Sequence, residues 1–126
     1  MILQKNSDKE KTFAHILSAL SYSIDGYKAV WKDEKAFRLV FFEAVIVFII
    51  AVIVADSWIC MIILVLPSFL SLIIELLNSA IENTIDRISL ELHPLSKKAK
   101  DMGSAAQCLV QFFLCFVWLS FFLVHI

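Results

Sequence analysis

Ile74-Glu75-Leu76-Leu77-Asn78-Ser79-Ala80-Ile81-Glu82-Asn83-Thr84-Ile85-Asp86-Arg87 begins inside an aliphatic run long enough to lie in a membrane and then turns polar. At ~100° per residue on a helix, Glu75, Asn78, Glu82 and Asp86 fall within an arc of about 80°. An acid at the centre of a bilayer costs roughly 2.5–3.5 kcal/mol even on lenient insertion scales. A helix that keeps several polar groups on one stripe, from apolar into polar sequence, is using them.

Composition agrees with a membrane setting. The chain has 126 residues, 60% of them hydrophobic, with only two glycines and two prolines. Soluble domains hold roughly 45–50% apolar residues. So few turn residues predict long helices and exclude a β-barrel, whose short strands need frequent turns. A net charge of −1 excludes the basic field expected of a nucleic-acid binder. Cys60, Cys108 and Cys115 lie in apolar runs without metal-ligand spacing, and are expected to be buried apolar fillers.

Working outward from the stripe, the second membrane span begins near Trp58 and contains Pro67, and its helix is expected over 58–90. Glu91-Leu92-His93-Pro94 is expected to close that helix. A basic loop, Ser96 to Asp101, then leads into a third helix over 98–126. On the other side, Asp56-Ser57 forms a very short turn able to cap the second span. Before it, the first span covers 37–55; past Arg38 at its very start, Glu43 is its lone charge, placed near the cytoplasmic end and within reach of the interface. Each span has about the 20 residues needed to cross roughly 30 Å of hydrocarbon.

Residues 1–11 read as a polar, frayed tail without the apolar core of a signal peptide, so the internal spans are expected to supply the membrane address. Over 12–35, Phe13, Ile16, Leu17, Leu20, Ile24, Tyr27 and Trp31 share an arc of about 100°. That pattern predicts an amphipathic helix lying on the bilayer surface, with Tyr27 and Trp31 at headgroup level. The fold class is therefore an all-α membrane protein, read as a single domain over 1–126. Every Lys and Arg falls before or at the very start of the first span, or between the apolar parts of the second and third. The positive-inside rule puts the N-terminus and the second loop in the cytoplasm and the C-terminus outside.

The stripe reaches from inside the membrane to its cytoplasmic edge. Asp86 lies about 16 Å beyond Glu75 along the axis. Magnesium is held by one or two carboxylates together with substrate phosphates, so Glu82 at the shallow end could meet phosphates from the cytosol. Glu75, deeper and less solvated, suits a general base acting on a membrane-borne hydroxyl. Lys100 could neutralise charge in phosphoryl transfer. Asp33-Glu34, at the end of the surface helix, falls at a depth similar to Glu82 and could share an ion with it. The plainer alternative is that these charges form interhelical ion pairs only. Gln107 and Gln111, spaced i,i+4, are expected to hydrogen-bond between helices. No P-loop or kinase glycine-rich loop is present, so any ATP site must be built from membrane helices and their ends.

Glu75-Leu-Leu-Asn78-Ser79-Ala80-Ile81-Glu82, Asp86-Arg87 and Ala99-Lys100-Asp101-Met102-Gly103-Ser104-Ala105-Ala106 together resemble the small prokaryotic diacylglycerol kinase family. Ala29 to Arg38 is similar to that family's N-terminal region, and the resemblance covers residues 13–126. It implies a homotrimeric bundle, each subunit with a surface helix and three spans. Active sites would be shared between neighbours at the inner-membrane interface. It implies the reaction of ATP with 1,2-diacylglycerol to give ADP and phosphatidate, with Mg2+. By the same resemblance Glu75 is the base and lipid contact, and Asn78 is its catalytic support. Glu34 and Glu82 are the magnesium ligands and also bind ATP. Tyr22, Glu91, His93, Lys100 and Asp101 contact the nucleotide, while Trp31 and Ser104 face the lipid. His15, Ile24, Leu92 and Pro94 depart from the family's pattern at peripheral positions. A sister branch phosphorylates undecaprenol; Gly103-Ser104-Ala105-Ala106 favours diacylglycerol over that alternative.

Overall fold

In a computed structural model the described residues form α1 (Ile2–Asp33), α2 (Lys35–Val54), α3 (Trp58–Ile88) and α4 (Pro94–His125). The structure describes the backbone of residues 2–125 and the side chains of residue 12 and residues 14–125. The chain divides into two compact units, Met1–Asp33 and Glu34–Ile126.

The first unit is α1. The tail expected over 1–11 is instead helical from Ile2 onward. No proline or glycine occurs before Gly26, and Leu, Gln, Lys and Glu are good helix formers, so nothing stops the helix from running back. Ile16, Leu17, Leu20, Ile24 and Tyr27 are all exposed, so the apolar stripe is open along its length. Phe13, also assigned to that stripe, has its side chain outside the described residues. The helices long and apolar enough to cross a membrane are α2, α3 and α4; α1 is not one of them.

The second unit is a bundle in which α3 packs against both α2 and α4. Glu34, at φ −105° and ψ 107°, is extended and sets the start of α2 at Lys35. Residues 55–57 join α2 to α3. As expected from sequence, Ser57 caps α3: its Oγ accepts from the Cys60 N–H at 3.2 Å. Ser57→Ala should lower stability by about 1 kcal/mol, read as an earlier thermal melt in detergent micelles. The buried residues of α3 are Leu64, Pro67, Ser68, Ser71, Glu75, Asn78 and Ser79, a stripe of helical spacing. Small and polar residues let neighbouring helices approach closely where lipid gives no hydrophobic drive. At the far end, His125 Nε2 lies 3.6 Å from Asp56 Oδ2, so α4 finishes beside the α2–α3 connection.

Two boundaries differ from the sequence reading. α3 ends at Ile88, with Ser89 extended after it, rather than at residue 90. α4 starts at Pro94, so residues 96–101 are helix rather than a basic loop. Pro94 opens the last helix instead of closing the one before it. Its fixed φ and missing N–H suit the first helical position, where no intrahelical acceptor exists. His93 supports the start, its Nδ1 accepting from the Leu95 N–H at 3.2 Å. The cysteines also differ: Cys60 is half-buried, but Cys108 and Cys115 are exposed. Both lie on faces of α4 turned away from α3, where lipid takes the place of a core.

Helix lengths set depth. α2 has 20 residues, about 30 Å, enough for the hydrocarbon alone. α3 has 31 residues and α4 has 32. With one end of the bundle tied at residues 55–57, the surplus of α3 and α4, about 16 Å each, emerges at the opposite end. Counting roughly 20 residues from the tied end puts Asn78 and Gly103 near the boundary, with Glu75 about one turn inside it.

Candidate active site

Glu75 lies on the buried face of α3 and is 5% exposed. It makes no hydrogen bond or ion pair among the described residues. Glu82 and Glu34 both come within electrostatic reach of it. The acidic stripe therefore points into the bundle and not toward lipid tails.

One turn above Glu75, Asn78 is 8% exposed. Its Nδ2 donates to Glu82 Oε1 at 3.2 Å. Its Oδ1 is buried without a partner. The Asn78 amide lies directly on Gly103 of α4: a Cβ at that glycine would fall 2.0 Å from Asn78 Oδ1. Only a glycine leaves the amide this position, so α4 fixes which way Asn78 points.

Glu34, at the head of α2, meets α3 by the same chemistry. Asn83 Nδ2 donates to Glu34 Oε1 at 3.0 Å and to the Ser79 carbonyl at 2.8 Å. Two carboxylates are thus each held through one oxygen by an asparagine. No group of three His, Cys, Asp or Glu side chains among the described residues forms a metal cage. A pair of oriented carboxylates without a cage fits magnesium, which keeps waters and takes further ligands from phosphate. Asn83 was not singled out from sequence; its spacing from Ser79, i,i+4, carries the signal, but its partner across the bundle does not.

Beyond the boundary, Lys100 Nζ donates to Asp86 Oδ1 at 2.6 Å. Lys97 pairs in the same way with Asp101. A cleft of about 650 Å³ opens between the end of α3 and the start of α4, lined by Asp86, Glu91, His93, Lys97, Lys100 and Asp101 among others. The Glu91 N–H donates to Ser89 Oγ at 3.0 Å, bending the connection around the cleft. Glu91, His93, Lys100 and Asp101 are thus brought together around one cleft. Asp86 thus pairs across the cleft with Lys100 of α4. Ser104 is exposed on α4, outside this cleft. Tyr22 and Trp31 belong to α1 and are exposed there.

Deeper in the bundle, Glu43 departs from expectation. It turns inward instead of reaching the interface, accepting from Gln111 Nε2 at 2.9 Å. A carboxylate near the middle of α2 finds a donor across the bundle more readily than it reaches water about 12 Å away. Gln111 Nε2 also donates to Ser71 Oγ at 3.1 Å, and Gln107 Nε2 donates to Ser71 Oγ at 2.7 Å. The two glutamines do bond between helices.

Comparison with known proteins shows the family. Residues 21–122 match the model of the prokaryotic diacylglycerol kinase family. The chain is 43% identical over 110 residues to a diacylglycerol kinase of Helicobacter pylori strain J99, covering 87% of this chain and 86% of that one. It is 44% identical over 108 residues to the diacylglycerol kinase of Pseudomonas aeruginosa, covering 86% and 88%. To that of Escherichia coli K12 it is 43% identical over 94 residues, covering 75% and 77%. With three apolar helices, carboxylates facing inward at the boundary and this extent of similarity, the chain belongs to the prokaryotic diacylglycerol kinase family.

Proposed function

We propose that this protein transfers the γ-phosphoryl group of ATP to the free hydroxyl of 1,2-diacylglycerol, giving ADP and phosphatidate at the inner face of the bacterial cytoplasmic membrane. The observation that carries this is the buried Glu75 carboxylate one turn inside the boundary, beneath oriented carboxylates and an open cleft that holds Lys97 and Lys100. Diacylglycerol keeps its acyl chains in the bilayer and lifts only a glycerol hydroxyl to that level. ATP cannot leave water. The two meet only where α3 emerges.

Each group then has a task. Glu75 takes the proton of the lipid hydroxyl, leaving its oxygen to attack phosphorus in line with the departing ADP. Asn78 aligns Glu82. Glu34 and Glu82 would hold magnesium, which when bound neutralises charge on the phosphates. Lys100 and Asp101, with Glu91 and His93, form the wall on which the nucleotide lies. Lys100 exchanges Asp86 for phosphate, a trade of one oxyanion for another. Tyr22 completes the nucleotide contacts, and Trp31 and Ser104 face the lipid.

We infer a homotrimer with sites shared between subunits, and a topology with the N-terminus in the cytosol. The supports are the family membership, the basic residues gathered at one end and the extensive exposed apolar surface of the single chain. The deciding experiment uses purified protein in mixed micelles with labelled ATP. Magnesium-dependent label should enter diacylglycerol in preference to undecaprenol. Transfer to neither lipid would end the proposal, and preference for undecaprenol would move the protein to the sister activity.

A further inference from the structure

We propose that the intramembrane network Glu43–Gln111–Ser71–Gln107 is a positioning device for Glu75, fixing the depth and facing of the base. The inference rests on the catalytic role just given to Glu75. Its observations are separate from that role. Ser71 is 1% exposed and sits four residues before Glu75 on the same face of α3. It accepts from Gln107 and Gln111 of α4. Gln111 at the same time donates to Glu43 of α2. One hydroxyl and one amide thus tie all three spans together, a single turn below the base.

Glu75 needs such help. Its own carboxylate has no hydrogen-bond partner among the described residues, so only the backbone of α3 places it. On the upper side, Asn78 packs on Gly103 of α4. On the lower side, Ser71 is gripped by both glutamines. α4 therefore holds α3 immediately above and below Glu75. A slide of about 1 Å at a reacting group can cost on the order of 100-fold in rate. Rigid dispersion contacts among Leu and Ile allow such slides; hydrogen bonds in a dry interior do not.

The test compares Glu43→Leu/Gln111→Leu with Glu43→Gln, Ser71→Ala and Glu75→Gln. Replacing both partners of a buried pair by apolar groups leaves no orphaned charge, so the double variant keeps its fold. The expected result is a thermal melt close to wild type, kcat lowered about 10- to 100-fold and KM for ATP unchanged. Glu43→Gln retains an acceptor for Gln111 and keeps activity. Ser71→Ala, its fold checked by the thermal melt, reproduces the kcat loss. A double variant and a Ser71→Ala protein that both turn over like wild type would overturn the inference. So would a kcat loss that Glu43→Gln shares in full. If Glu75→Gln itself were active, the role of the base would fail instead, which separates the two claims.

Discussion

Glu75→Gln is expected to lower kcat by about 10²–10⁴, the range general acid–base catalysis contributes, with the helices and their assembly intact. Glutamine keeps the shape of glutamate and can sit in the same slot on α3. It cannot accept the hydroxyl proton. Glu75 is only 5% exposed, so water offers a poor substitute. KM for ATP should not move, because the nucleotide cleft lies beyond Asp86, about three turns further along the helix. Steady-state kinetics in mixed micelles, with circular dichroism as the fold control, reads both quantities. Near-normal turnover would remove Glu75 from the chemistry.

Glu82→Gln should act differently, raising the magnesium and ATP concentrations needed for half-maximal rate by roughly 10-fold or more, in line with the 1.5–3 kcal/mol of a hydrogen bond to a charged group. Glu82 is half-buried and held by Asn78, so it is presented rather than floppy. Losing its charge takes away an oxygen ligand while leaving the amide partner satisfied. Glu34→Gln should show the same pattern, since Asn83 fixes Glu34 in the same fashion. Excess magnesium should restore much of the rate in either variant. It should restore nothing in Glu75→Gln. A loss of kcat with no change in magnesium dependence would count against these two as metal ligands.

Much of this was legible in the sequence because lipid makes the rules simple. Twenty apolar residues must be a helix, and polar groups at i, i+3, i+7 and i+11 must share a side. Glu75, Asn78 and Glu82 could be named on spacing, and the structure turns them inward together. Glu43 was misread because depth alone does not say which way a side chain turns; its partner Gln111 lies 68 residues away. Asn83 was passed over for a related reason, its second partner being 49 residues back on another helix. Pro94 was read as a stop when it is a start, since proline ends one helix and begins another with equal ease and only the chain around it decides.

The connection at residues 55–57 has a mechanical meaning. Helices joined so tightly cannot slide past each other like pistons; they can only splay, with the turn as fulcrum. α2 is then a lever about 30 Å long, and a swing of only about 2° carries its head by roughly 1 Å. That head is Glu34. Moving Glu34 toward or away from α3 therefore asks for almost no motion at the opposite end of the bundle, where the connection lies.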